Sequence, residues 1–273
     1  MNITFKDSLA LLQTQRLQTK RYWELIQVLV TRNLGVRYRG SFLGVWWSLL
    51  NPLLMTGLYT AIFGATFASY YQNSIINYTL AAFTGLVVVN FFASSTMQAL
   101  SSVVGSGALL NKIRVPVSIF PVSMITANMF QFIVGALPLL ALVTLVTSKS
   151  ILNVLALPFP LLGLAFICMG VGFLISALYV FFRDLPYFYE VLMFALTLST
   201  PIFYPAAIVP EKVRAYLALN PLSPIIESIR QITLSGQAPD FYLIRDACTS
   251  GVIMLIVGWS FFRLKQSEFM DLL

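Results

Sequence analysis

The chain has 273 residues, of which 58% are hydrophobic and only 10% charged, with a net charge of +7 and no histidine. Soluble globular proteins carry about a quarter charged residues, so this composition excludes a water-soluble fold. The missing histidine excludes imidazole metal sites and Ser/His or Cys/His nucleophile pairs. The basic residues form no patch interleaved with aromatics of the kind nucleic acid would need, and Cys168 and Cys248 read as small apolar packing residues without disulfide or metal spacing.

In chain order, residues 1–20 are a polar segment carrying Lys6, Asp7, Arg16 and Lys20. This is not the short basic stretch plus apolar run of a cleavable signal, so the first span is expected to direct insertion itself. Residues 21–41 follow helical periodicity. Tyr22, Leu25, Ile26, Leu29, Val30 and Val36 share one arc, and Arg21, Glu24, Gln27, Thr31, Arg32 and Arg39 share the other, with Asn33 and Arg37 interrupting the apolar side. The pattern predicts an amphipathic helix in the membrane interface, its arginines Arg21, Arg32, Arg37 and Arg39 directed to phosphate head groups.

Beyond it, residues 42–273 read as one membrane domain. Crossing ~30 Å of hydrocarbon takes about twenty apolar residues. Six stretches qualify, near 43–68, 79–104, 117–146, 151–180, 187–205 and 247–262. With the N-terminus inside, the cytoplasmic segments hold twelve of the 17 basic residues: Lys6, Arg16, Lys20, Arg21, Arg32, Arg37, Arg39, Lys112, Arg114, Arg183, Arg263 and Lys265. The outer segments keep Lys149, Lys212, Arg214, Arg230 and Arg245. Both termini are therefore expected to be cytoplasmic.

Between spans five and six, residues 206–242 hold apolar runs of about ten residues, too short to cross. Pro210, Pro221, Pro224, Gly236 and Pro239 break them. Ser223 as cap, Pro224 at the first helical position and Gly236 as terminator mark a short helix. It either dips into the bilayer as a re-entrant element or lies flat on the outer surface. The fold class expected is thus an all-α integral membrane protein with six transmembrane helices, an N-terminal interfacial amphipathic helix and short re-entrant helices.

The chemistry is sparse. Asp184 and Glu190, six positions apart, are the only acidic pair to consider for an intramembrane enzyme. Glu190 alone among the ionisable residues falls in a span, which disfavours proton or sodium coupling. The glycines at 35 and 40 mimic a phosphate loop but are followed by Ser41 and Phe42 instead of Lys and Ser/Thr. Energy for active transport would have to come from another polypeptide. Uncharged polar residues recur in the spans at Asn51, Asn90, Ser94, Ser95, Thr96, Gln98, Asn128, Gln131, Thr197, Ser199 and Thr200. They outnumber what helix packing requires and point to a partly wet interior. Aromatics are 14% of the chain and gather at span ends, as interfacial belts do. Tyr59, Phe63 and Phe67 recur every four residues on one helix face, either as core packing or as flat surfaces for sugar rings.

Local motifs go further. RYRGSFLGVWWSLLNP from Arg37, NKIRVP from Asn111, RDLPYFYEVL from Arg183, TPIFYPAAIVPE from Thr200 and NPLSPIIESIRQ from Asn220 resemble, in order, the permeases of type-2 ABC exporters for polysaccharides. The resemblance runs from about Tyr22 to the C-terminus. It implies a homodimer with two copies of a cytoplasmic ABC ATPase, which binds ATP and Mg; no cofactor is expected in this chain. It further implies that Asn111, Lys112 and Arg114 form a coupling loop docking on that ATPase beside the interfacial helix. Residues 205–236, with Tyr204, Pro205, Pro210, Asn220, Pro221 and Pro224, would be an external gate. Tyr59, Phe63, Phe67, Asn51 and Asn90 become candidates to line a channel for a lipid-linked glycan leaving through a bacterial inner membrane. The Arg37 motif and the C-terminal FRLKQSEF are similar to the O-antigen branch, where capsule and teichoic acid exporters are the alternatives. A type-2 permease for a lipid or drug, an enzyme of glycolipid assembly and a non-transporting scaffold remain competing readings.

Overall fold

Apolar runs inserted in hydrocarbon must satisfy their backbone internally, and the helix is the local solution. A computed structural model describes the backbone of residues 5–110, 112, 115–212 and 220–272, and side chains from Lys20 onward except those of Ala206, Met270 and Asp271. Its main elements are α1 (Phe5–Tyr38), α2 (Trp47–Phe67), α3 (Ile75–Ser102), α4 (Ile119–Ser148), α5 (Pro158–Phe181), α6 (Leu185–Ser199), α7 (Ser223–Leu234) and α8 (Phe241–Lys265). No strand occurs among the described residues. The chain is an all-α integral membrane protein.

Among the described residues, five segments are long and apolar enough to cross a bilayer: Gly44–Tyr70, Ile75–Ser102, Ile119–Ser148, Ile151–Phe181 and Phe241–Glu268. The run expected as the fifth of six spans is shorter than foreseen. As α6 it has 15 residues, a rise of about 22 Å. It stops at Ser199 because Pro201 drives the preceding Thr200 into extended backbone, at ψ 127°. The run at 151–180 is also divided, into a short turn Ile151–Ala156 and α5, which begins at Pro158 where proline leaves no amide unpaired.

The helices alternate in direction, giving the bundle a basal end, where α1, the 103–118 connection and the C-terminal residues meet, and a distal end around Gln72, Lys149 and the 200–240 connection. α3 is central, flanked by α2, α4, α5 and α7. The tightest pair is α5 with α8, where glycines let the backbones touch. A methyl group at Gly163 would meet the Ala247 carbonyl oxygen at 2.5 Å, and one at Gly251 the Gly163 carbonyl oxygen at 2.5 Å. Gly170 and Gly258, one heptad along, face each other more closely still. With no water to expel between helices in lipid, close van der Waals contact of this kind supplies the association energy.

α1 revises two expectations. Its helix runs back to Phe5, so residue 20 is not a boundary. Its apolar arc packs on protein: Ile26 is buried, and Tyr22, Leu25, Leu29 and Val30 lie against Val103, Leu110, Val117 and Phe120. Val36, expected on that arc, is exposed, and Arg21, Arg32 and Arg39 face outward. Arg37 turns inward, against the expectation that it reaches for head groups.

The close approach of α5 and α8 predicts that Gly258→Ala destabilises the chain by about 1–3 kcal/mol through overpacking. Gly57→Ala in α2, where nothing stands within 4 Å, should be neutral or stabilising by up to about 1 kcal/mol. Thermal unfolding in detergent measures both; equal stability of the two variants would show that the glycine contact does not hold the pair.

Candidate functional site

Arg37 is the only charged residue among those lining a cavity inside the bundle, and it is met there by neutral amides. Its Nη1 donates to Asn128 Oδ1 at 3.0 Å and to Gln131 Oε1 at 2.6 Å, and its Nη2 donates to Gln98 Oε1. Asn128 in turn donates to Gln98 Oε1 at 3.0 Å and to the Met124 carbonyl at 2.9 Å. Asn128 and Gln131 stand three apart on α4, so both face the same way; Gln98 comes from α3. One guanidinium therefore ties α1 to two membrane-crossing helices. A lone charge in a bilayer interior costs on the order of 3 kcal/mol even on the mildest scales, and amide oxygens reduce that cost without cancelling the charge.

Two cavities meet at this side chain. The first, about 340 Å³, is lined by Arg37, Tyr38, Trp47, Asn51, Asn90 and Gln98, with Asn128 and Gln131 behind them. Its apolar wall is Pro52, Val87, Phe91, Phe132 and Ala136. The second, about 430 Å³, runs along α1 past Arg32 and Asn33 to Ser101 and Ser106, and shares Arg37 and Gln98 with the first. Asn51 and Asn90, expected as channel-lining residues, are thus brought together with Arg37. Asn90 Nδ2 is buried and has no hydrogen-bond partner among the described residues.

Tyr59, Phe63 and Phe67 sit elsewhere. They form a ladder up α2, with ring centroids 6.2 Å and 5.9 Å apart. Tyr59 also stacks on Phe203 at 3.7 Å, and Phe67 approaches Tyr78 at 6.3 Å. The stripe faces α3 and the 200–205 connection at the distal end, not the polar cavity.

Non-helical backbone within a membrane protein is tolerable only where protein satisfies it, and side chains do so in the distal connection. Tyr204 donates its hydroxyl to the carbonyls of Leu198 and Ser199 at 3.1 Å each, closing the end of α6. Asn220 Nδ2 donates to Thr200 Oγ1 at 2.7 Å, while its Oδ1 accepts from Leu222 N at 3.0 Å and sets the entry to α7. Pro205 is buried, Pro221 and Pro224 are half-buried, and Pro210 is exposed. α7 packs into the bundle, with Ile225, Ile229 and Ile232 fully covered by its neighbours. Asn153 donates to the Ile232 and Gln237 carbonyls, both at 2.9 Å, and Gly236 at φ +64° turns the chain out. Arg230, in α7, holds this end together. It reaches the Ala81 carbonyl of α3 from Nε at 3.1 Å and Nη2 at 3.0 Å, and the Pro201 carbonyl from Nη1 at 2.9 Å. Composition had marked it only as a basic residue of the outer segment.

At the basal end Lys112 is exposed beside α1; Asn111 and Arg114 lie outside the described residues. Asp184 and Glu190 are both exposed, and neither lines a cavity.

Comparison with known proteins covers nearly this whole length. The family model described as ABC-2 type transporter matches residues 24–234. An O-antigen export system permease protein RfbA of Klebsiella pneumoniae is 30% identical over 92% of this chain and 95% of its own. The protein of that name from Myxococcus xanthus is 29% identical, covering 92% and 96%. The polysialic acid transport protein KpsM of Escherichia coli is 21% identical, covering 88% and 93%.

The Arg230 contacts predict that Arg230→Met, which removes the side-chain donor to the Pro201 and Ile202 carbonyls, lowers stability by about 2–4 kcal/mol. Arg245→Met, which removes an exposed ion pair to Asp246 and a ring contact with Tyr242, should cost under about 1 kcal/mol. Parallel thermal melts of the two variants decide it; similar melting temperatures would mean that Arg230 does not clamp the distal end.

Proposed function

The chain belongs to the ABC-2 type transporter family, and on that footing we propose that it is the membrane-spanning subunit of an ATP-driven exporter that carries a lipid-linked polysaccharide, O-antigen in kind, out through a bacterial inner membrane. The observation that carries the proposal is the match along 92% of its length to O-antigen export permeases. KpsM, at lower identity, marks the wider polysaccharide class.

In this reading the basal end is cytoplasmic and both termini lie there, with α6 completing a sixth crossing. Two copies of the chain face each other, and two ABC ATPase subunits supply ATP and Mg from below. The packing of α1 on the segment that leads into Asn111, Lys112 and Arg114 supports a shared docking platform: Leu110, Val115 and Val117 sit against Ile26 and its neighbours. A push on that platform is delivered through Arg37 into α3 and α4. The passage passes Asn51 and Asn90 and then the aromatic ladder of α2, where flat rings suit the C–H faces of sugars and the amides suit their hydroxyls. The 205–236 segment with α7 closes the distal end as an external gate. The chain has the role of a transport subunit, with hydrolysis assigned to its partner.

Deleting the gene is expected to leave lipid-linked glycan on the cytoplasmic side of the inner membrane, detected by extraction and by antibody access in inverted vesicles. Normal surface glycan in the deletion strain would overturn the export reading. Lys112→Glu combined with Arg114→Glu should weaken co-purification of the ATPase by about tenfold or more, since like charges or lost pairs at an interface cost several kcal/mol. Unchanged capture would remove the docking role from these two residues.

A further inference from the structure

A guanidinium has five N–H donors and no acceptor. The amides around Arg37 must therefore turn their oxygens to it, and they do: Asn128 Oδ1, Gln131 Oε1 and Gln98 Oε1 all accept from its terminal nitrogens. Gln98 Oε1 takes a second bond, from Asn128 Nδ2. The amide oxygens of the cluster are thereby turned onto Arg37. What it has left to offer is N–H: the amide nitrogens of Gln98 and Gln131, and Asn90 Nδ2, which is buried and unpartnered.

Charge points the same way. No carboxylate lines either cavity, and the ion pairs of the described residues, Lys20–Glu24, Arg245–Asp246 and Lys265–Glu268, do not involve Arg37. A full positive charge is thus held in a membrane protein with no carboxylate among the residues that line its cavities, and a second cation, Arg32, lies along the adjoining cavity. A neutral sugar hydroxyl would leave that charge without a counter-ion. A phosphoester oxygen needs donors only, and it pairs with guanidinium in a fork. The opposite wall, of Pro52, Val87, Phe91, Phe132 and Ala136, is apolar and fits a hydrocarbon chain beside the charge.

We propose that the cavity bounded by Arg37, Asn90, Gln98 and Gln131 binds the phosphoester head of a lipid. Two lipids present this chemistry: the phosphate-bearing anchor of an exported glycan and an anionic phospholipid of the bilayer. The first identity rests on the export reading; the anion site itself does not.

Gln98→Glu tests the site without dismantling it. The substitution is isosteric and places a carboxylate on the same Arg37 contact, so the link between α1 and α3 is kept while the charge that recruits the anion is neutralised. The full-length chain, purified in neutral detergent, is titrated with farnesyl diphosphate and with farnesol, followed by native mass spectrometry and thermal shift. The wild type is expected to bind the diphosphate at least about tenfold more tightly than the alcohol, and Gln98→Glu to lose about tenfold or more of that affinity while melting no lower than wild type. Arg37→Gln should lose binding too; if it does not fold, Gln98→Glu still decides. Competition by phosphatidylglycerol as strong as by the diphosphate assigns the site to bilayer lipid, and weak competition assigns it to a diphosphate anchor. Equal binding of diphosphate and alcohol by wild type, or full diphosphate affinity in Gln98→Glu, overturns the proposal. Either result leaves the export reading standing, because that reading fails only on the fate of the glycan in the deletion strain.

Discussion

The interior of this bundle is organised around a cation that has no acid to pair with. Placing a charge in a low-dielectric setting is costly, and the usual remedies are a carboxylate, a metal or escape to the interface. Arg37 takes none of them. It lies in the last turn of α1, one residue before the helix ends at Tyr38, and hands its charge to Gln98, Asn128 and Gln131 on α3 and α4. The arrangement couples α1 mechanically to the central helices. It also opposes simple sliding of α1, since withdrawing the guanidinium would leave the Asn128 and Gln131 amide oxygens without this donor in the bundle.

A second arginine does different work at the other end. Arg230 is spent on backbone carbonyls of Ala81, Pro201 and Ile202. The Pro201 and Ile202 carbonyls lie in the break after α6, where helical backbone no longer supplies donors, while the Ala81 carbonyl also accepts from Thr84 Oγ1. Side-chain amides can rotate to new partners; carbonyls fixed in the backbone cannot. The basal cluster is consequently the adaptable one and the distal cluster the rigid one.

Much of this was legible in residue patterns. Hydropathy showed the membrane class and the long helices, because apolar runs of that length have few other uses. The break of α7 from the chain was marked by Pro224 and Gly236, whose backbone constraints act locally. What local pattern could not give was direction. The arc of α1 was read as facing lipid, yet a helix wheel shows only that one face is apolar, and here that face meets Leu110, Val117 and Phe120. Arg37 stood out as an interruption of the arc. Its partners were visible as isolated polar residues, with the spacing of Asn128 and Gln131 as a hint, but pairing them required knowing that α1 crosses α4 beside α3. Arg230 was harder still, because its acceptors are carbonyls and carry no side-chain signature. The length of α6 was misjudged because hydropathy runs on past Pro201 while helical backbone does not.

α2 joins the two ends. Its first turns supply Trp47, Asn51 and Pro52 to the Arg37 cavity. Its last turns carry the ladder from Tyr59 to Phe67, which stacks on Phe203 and approaches Tyr78, and Tyr78 donates its hydroxyl to the Phe203 carbonyl at 2.9 Å. Little of α2 is covered by the rest of the chain: Pro52, Thr56 and Gly64 are its buried residues. A helix held at both ends by specific contacts and loosely along its length can tilt as a unit more readily than α3, which is enclosed on most sides. Tilting α2 would widen the polar cavity and strain the Tyr59–Phe203 stack in the same motion. The helix that lines the polar cavity is thus also the one in contact with the 200–205 connection.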